Sequence, residues 1–330
     1  MLKLIDFDYL LPVELIAQHP LKNREDAKLL VVNRKTGEIT HSIFKDIRKF
    51  FKKDDLLVLN DTKVLHCRLM GKKKTGGRVE ILLTQRINGT TFECLVQPSR
   101  TKVGEQIIFA EGRVRGVLSK RGQISFKQAD ADIIYNFGIV PLPPYIKREP
   151  DDLDTIYYQT VYAKNDGALA SPTAGLHFTQ ELLKEIKHDA VNLAYVTLHV
   201  GLGTFRPVKC EDITQHKMEP EAFFVSDLTV DLINQTKANK GRVIAVGTTA
   251  LRTLETYAQG RKEGNTDLFV YPGFNFKLVD CLLTNFHFPK TTLLMLVCAF
   301  AGKDLILKAY QEAVDRKYRF YSYGDAMLVI

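Results

Sequence analysis

None of the five cysteines stands at CxxC spacing from another. Their number is odd and their positions are scattered (Cys67, Cys94, Cys210, Cys281, Cys298). That argues against a disulfide framework and a cysteine-based zinc site, and it fits a reducing cytoplasm. Long apolar runs are missing too. The longest, Leu293 to Ala301, covers nine residues, where a bilayer-spanning helix needs ~20; no membrane association is expected. Asp6 and Asp8 interrupt MLKLIDFDYL and no small-residue cleavage site follows, so a secretory signal is not expected. The histidines never fall at HxxxH or HExxH spacing, the patterns that make a metal site specific. Gly201 and Gly203 resemble a dinucleotide turn, but Arg206 stands where the third glycine belongs and Pro207 blocks a helix start.

What is present describes a folded protein with a sizeable core. Of 330 residues, 45% are hydrophobic and 25% charged, and this length suggests about two domains. The net charge of +8 is unevenly spread. From Lys63 to Lys127 there are fourteen Lys or Arg and four Asp or Glu; the remainder carries thirty-two basic and thirty-four acidic groups. The whole basic excess thus sits in one fifth of the chain. A polyanion, most simply nucleic acid, accounts for it, and so does a solvated lysine-rich surface.

The same segment changes character. VLHCRLM, GRVEILL, FECLVQ, EQIIFA, RVRGVL and GQISF are short, β-rich runs separated by Gly-containing turns. They predict a small antiparallel barrel or sandwich. IVPLPPYIKREPDD (139–152) then reads as an extended connector. On both sides the chain alternates strands with helices: KLLVV and LLVLN before, and after it a helix capped by Thr179, strand NLAYVTLHV, a helix near 226–239, strand RVIAVG, helix ALRTLETYA, strand DCLLTNF, helix TTLLMLVCAFA, a helix from Lys303 and a last strand in DAMLVI. The expected architecture is an α/β domain (1–62 and 151–330) interrupted by a basic β domain with its connector (63–150).

Chemistry-bearing residues gather where strands end. NLAYVTLHV runs into GLGTFRP, RVIAVG into TTALRTLE, and DCLLTNF into HFPKTT. Ligands of α/β sheets bind at the carboxyl ends of strands, so these turns are expected to meet in one pocket. Four histidines (His177, His199, His216, His287) lie in or beside such turns. In NFHFPK, Asn285 and His287 share one side of an extended chain while Phe286 and Phe288 share the other. Arg252 and Glu255 share a helix face; they form an i,i+3 ion pair, or Glu255 acts as a base or holds a cation. Tyr321, Tyr323 and Asp325 alternate in the tail, which suits core packing or a pocket for a flat base or a cation. ALASPTAGLHFT (168–179) is almost bare of large side chains before His177. Either backbone approaches a ligand there, or a helix and sheet meet closely.

Taken with their order, these segments resemble one family, the S-adenosylmethionine:tRNA ribosyltransferase-isomerases of queuosine biosynthesis. The resemblance runs nearly end to end and is carried by LLVLNDTKVLHCRL, KKKTGGRVEILL, YQTVYAKNDGALASPTAGLHFT, HVGLGTFRPV, IAVGTTALRTLE, LLTNFHFPKTTLLMLVCAFAG and FYSYGDAML. It implies an α/β barrel-like domain with a small inserted β-barrel. It also implies a reaction in which the ribosyl part of S-adenosylmethionine moves to the aminomethyl-deazaguanine at the tRNA wobble position. Adenine and methionine leave and epoxyqueuosine forms. S-Adenosylmethionine is then a co-substrate, no metal is expected, and tRNA is the partner of a cytoplasmic monomer. The sequence departs from the family pattern at Glu219 in HKMEPE, where a histidine is common, at Arg24-Glu25 and Ala27-Lys28, and at Ala250.

On this reading His177, Glu255 and His287 are the candidate acid–base residues. Substrate contacts are expected from Thr173, Gly175, His199, Gly201, Gly203, Thr204, Arg206, Thr248, Arg252, Asn285, Tyr321, Tyr323 and Asp325. Lys63, Lys72, Lys73, Lys74 and Arg78 are expected to meet tRNA. Two other readings stay open: a small-molecule α/β enzyme whose basic part serves oligomer contacts, and an RNA-binding protein without activity.

Overall fold

The structure is a computed structural model and describes residues 2–127, 131–201, 203 and 207–330. Seventeen strands are present among them. They are β1 (Lys28–Val32), β2 (Ile39–Ile43), β3 (Leu56–Asn60), β4 (Thr62–Val64), β5 (Arg68–Lys73), β6 (Arg78–Arg86), β7 (Thr91–Gln97), β8 (Gln106–Phe109), β9 (Val114–Lys120), β10 (Gln123–Lys127), β11 (Asn165–Ala168), β12 (Asn192–Leu198), β13 (Glu221–Val225), β14 (Val243–Val246), β15 (Glu263–Thr266), β16 (Cys281–Asn285) and β17 (Ala326–Val329). The helices are α1 (Ala131–Asn136), α2 (Asp152–Tyr157), α3 (Gln180–His188), α4 (Asp227–Ala238), α5 (Gly247–Tyr257), α6 (Thr292–Ala301) and α7 (Lys303–Asp315).

Nine strands form one mixed sheet in the order β15-β13-β12-β3-β14-β16-β17-β1-β2. Its middle four, β12, β3, β14 and β16, run parallel. Their carboxyl ends therefore share one edge. The reason is visible in LLVLN. All five residues are buried, with Leu56 and Val58 packing on one face and Leu57 and Leu59 on the other. A strand apolar on both faces must be covered twice. Residues of α4, α5, α6 and α7 cover the first face; Phe44, Ile47 and α3 cover the second. Thr179 caps α3 by accepting from the Leu182 amide, and Leu182, Leu183 and Ile186 are buried as their spacing requires.

The six β-rich runs close into a barrel, β10-β7-β6-β5-β8-β9, entirely antiparallel. Alternation decides its inside: Leu69, Val79, Ile81, Phe92, Ile107 and Phe126 point to a separate apolar core. At the barrel's root, β4 and β11 pair in parallel. The Pro-rich connector is no solvated strap. Val140 and Ile146 are buried with Tyr158, Leu176 and Tyr323. Arg148 grips the buried Asp154 with two bonds of 2.6 and 2.7 Å, and the Tyr323 hydroxyl donates to the same carboxylate at 2.6 Å. Proline fixed the path of this segment; tyrosine, isoleucine and arginine dock it against the tail.

Candidate functional site

The edge where the parallel strands end carries the cavity. β14 passes directly into α5 through Gly247, whose φ of +88° is accessible to glycine without strain. That turn presents the amide end of α5, residues Gly247, Thr248 and Thr249. β16 ends on Asn285 and delivers His287 one step on. The segment Ala170–Ala174 and the tail residues Tyr321 and Ser322 complete the wall, with Tyr145 reaching in from the connector. The cavity holds about 50 Å³. Among the described residues no Lys, Arg, Asp or Glu lines it.

Asn285 organises this wall. Its carbonyl accepts from the Thr173 hydroxyl at 3.1 Å, and its amide donates to His177 Nε2 at 3.3 Å and to the Tyr321 carbonyl at 3.2 Å. His287 meets the Thr284 hydroxyl through Nε2 at 3.0 Å, while its backbone is held by the Tyr310 and Tyr9 hydroxyls. Tyr321 sits at φ +73°, a strained conformation for a non-glycine residue, and stacks on Phe288 at 3.9 Å. The expected split of NFHFPK holds in part: Asn285 and His287 line the cavity and Phe286 packs among Tyr310, Tyr318 and Phe320, but Phe288 does not join it and packs on Tyr145 and Tyr321 of the cavity wall. His177 lies behind Asn285, its ring 4.9 Å from that of Phe44, and lines a second hollow with Arg24 and Tyr323.

Several residues expected here are placed elsewhere. Glu255 is fully buried, and its carboxylate accepts from the amides of Lys277, Leu278 and Val279 at 2.9–3.0 Å. It lies two turns from the mouth of α5 and holds a loop. Arg252 does not pair with Glu255; it binds Glu221 and the Leu268 carbonyl. Asp325 accepts from the amides of Lys28 and Arg319 and so ties the tail to β1. Tyr321, Tyr323 and Asp325 do not alternate along a strand but occupy a turn, which sends Tyr323 to Asp154. Gly175 answers to packing: a Cβ there would come within 2.0 Å of the Tyr162 hydroxyl. His216 packs edge-on against Phe269. Thr204 and Arg206 lie outside the described residues.

A wider cleft of about 800 Å³ separates the barrel from the sheet. His199, Gly201 and Lys63 line it, and Val200 is shared with the inner cavity. His199 is held by the Thr62 hydroxyl at 2.8 Å, the Gly201 amide donates to Glu221, and Lys63 pairs with Asp166. Gly203 lies against Glu219. Beyond the cleft, Lys72, Lys74 and Arg78 are exposed on the β5–β6 hairpin and Lys73 is half-exposed. Lys72 stands directly opposite Arg78 across the ladder. Like charges so placed repel, and a polyanion would relieve them.

Sequence reasoning missed Ser171, Thr249, Thr284, Ser322 and Tyr145. Tyr145 was hidden by its proline-rich neighbours. Ser171 stood in the quoted stretch, but only burial reveals that its hydroxyl has no protein partner. Among the described residues no group of three His, Cys, Asp or Glu is placed to hold a metal ion, and no helix is long and apolar enough to cross a membrane.

Burial holds both imidazoles neutral, lowering the pKa to about 4 for His177 and about 3 for His287. Unfolded, each titrates near ~6.5. As pH falls the unfolded chain takes up protons first, so their share of stability is whole above that value and declines below it. Each should cost roughly 2 kcal/mol between about pH 7.5 and about pH 5. Urea melts at both pH values test this: the double variant His177→Gln, His287→Gln should lose that part of the pH dependence.

Along nearly its whole length the chain is similar to known proteins. The family model described as "Queuosine biosynthesis protein" matches residues 4–329. A protein from a Sulfurihydrogenibium species named S-adenosylmethionine:tRNA ribosyltransferase-isomerase is 52% identical, with all of both chains covered. One of the same name from Carboxydothermus hydrogenoformans is 50% identical over the same full coverage. The crystal structure of S-adenosylmethionine tRNA ribosyltransferase from Thermotoga maritima is 39% identical and superposes with a TM-score of 0.58, covering 98% of this chain and 100% of that one. The chain belongs to the queuosine biosynthesis protein family.

Proposed function

We propose that this protein is an S-adenosylmethionine:tRNA ribosyltransferase-isomerase. It transfers the ribosyl group of S-adenosylmethionine to the aminomethyl-deazaguanine at the wobble position and isomerises it, giving epoxyqueuosine, adenine and methionine. The observation that carries this is the convergence of Thr173, Thr248, Asn285, His287 and Tyr321 on one cavity at the carboxyl edge of the parallel strands. Such an edge is where α/β sheets take their ligands.

The chemistry follows from the groups present. A sulfonium acidifies the neighbouring C–H bonds, and a base must take one such proton. His287 faces the cavity as a neutral imidazole, with its ring fixed by Thr284. His177 acts one residue further back through Asn285. Leaving adenine requires a proton or strong hydrogen bonds, since the adenine anion is a poor leaving group. Residues 63–150 form the inserted tRNA-binding part, and 1–62 with 151–330 the catalytic part. The enzyme works as a cytoplasmic monomer. The modified base leaves the anticodon loop, where unstacking costs less than in a duplex, and enters through the wide cleft.

Incubation with S-adenosylmethionine and tRNA bearing the deazaguanine base, followed by nucleoside mass spectrometry, tests the assignment. Epoxyqueuosine and free adenine should appear together; adenine without nucleoside product, or neither, would overturn it. Binding to tRNA should weaken steeply with salt. Replacing Lys72, Lys74 and Arg78 by alanine should reduce the log–log salt slope by about 1 for each phosphate no longer neutralised. A slope unchanged in the triple variant would move the tRNA to another face.

A further inference from the structure

The inner cavity has two features that a hydrophobic or purely steric pocket would not need. One is the amide end of α5, an eleven-residue helix whose first residues line the cavity and whose terminus no side chain caps. A helix start leaves its first amides without intrahelical partners and carries a partial positive charge. The other is Ser171. The residue lines the same cavity and is 5% exposed, and its buried hydroxyl has no hydrogen-bond partner. A buried hydroxyl left unpaired is costly unless something arrives to pair with it. Thr249 adds a third donor. Its oxygen already accepts from Asn60 at 3.1 Å, so its own proton is free to donate.

We propose that the amide end of α5, with Ser171 and the Thr248 and Thr249 hydroxyls, binds the carboxylate of the methionine moiety of S-adenosylmethionine. This rests on the reading that the inner cavity is the S-adenosylmethionine site, and it fixes the direction in which the nucleoside lies there. The cavity is lined by neutral donors and, among the described residues, by no lysine or arginine. A singly charged carboxylate is satisfied by such donors and a helix terminus. A phosphodiester of tRNA, singly charged too but with a polymer on both sides, suits the basic hairpin instead. The sulfonium and ribose then lie outward, toward Tyr321, His287 and the wide cleft, where the tRNA base arrives. The carboxylate anchor thus orients the reacting carbons without touching them.

Calorimetric titration of the full-length protein with S-adenosylmethionine, with its decarboxylated analogue and with inorganic phosphate tests this. The analogue keeps the sulfonium, amine and adenine and loses only the carboxylate. Wild type should bind S-adenosylmethionine at least about ten-fold more tightly than the analogue, the scale of a lost charged hydrogen bond. Ser171→Ala should weaken S-adenosylmethionine about five- to ten-fold and leave the analogue within about two-fold, as expected when one donor to a charged group is removed. Thr248→Val, of nearly the same shape, should act in the same direction. Phosphate should not compete. Equal wild-type affinity for both nucleosides overturns the carboxylate site, as does equal weakening of both by Ser171→Ala; competition by phosphate reassigns the donors to a phosphate. Ser171→Leu fills the cavity and separates the two levels of the argument. If it leaves S-adenosylmethionine binding intact, the nucleoside lies elsewhere and the parent reading falls with the anchor. If it abolishes binding while wild type ignores the carboxylate, only the anchor falls.

Discussion

Glu255→Ala should destabilise the protein by about 3–5 kcal/mol, seen as a lower urea midpoint, because it removes a buried carboxylate that accepts three amide hydrogen bonds and leaves the buried amide of Val279 without an acceptor. The carboxylate accepts from Lys277, Leu278 and Val279, and the residue is 1% exposed. Each bond to a charged acceptor is strong, and the orphaned buried donor carries its own desolvation cost. Glu255→Gln retains the shape but offers one acceptor oxygen where two served, so it should cost less. The loop it holds leads into β16, which ends on Asn285. Activity per folded molecule should stay close to wild type in the glutamine variant. A large fall in turnover at unchanged stability would return Glu255 to the chemistry.

His287→Ala should lower kcat by about a hundred-fold or more, the range for loss of a positioned acid or base, and change the KM for S-adenosylmethionine only a few-fold. The imidazole is the single titratable group of the described cavity other than its tyrosines, and its backbone is clamped from both sides. The substitution removes a ring and leaves the clamps in place. His177→Ala should act differently. It breaks the hydrogen bond to Asn285 and disturbs the packing on Phe44, so stability and turnover should fall together. Full turnover of His287→Ala would shift the proton transfer to another group.

The strands and the barrel were readable because their signals are local. Alternation places Leu69, Val79 and Ile81 inside the barrel whatever surrounds it. The double-faced apolar run at 56–59 demands a central strand. The meeting of strand ends was readable from a general property of parallel sheets, and Asn285 and His287 followed from the two-residue period. Most of what failed was non-local. Arg252 and Glu255 are ideally spaced for each other, yet each finds a better buried partner far along the chain: Glu221 in β13 for the first, three amides at 277–279 for the second. Tyr323 and Asp325 looked like one face of a strand, although Ser322 and Gly324 beside them are turn-forming residues. Ser171 is recognisable only by the absence of a bond, which no sequence displays.

β17 lies between β16 and β1, and β1 and β2 have no other neighbour in the sheet. During translation the amino-terminal hairpin therefore waits for almost the whole chain to emerge before its inner partner exists. A nascent chain arrested before Ala326 holds an apolar strand, Leu29–Val32, with one edge unpaired, a target for chaperones and for aggregation.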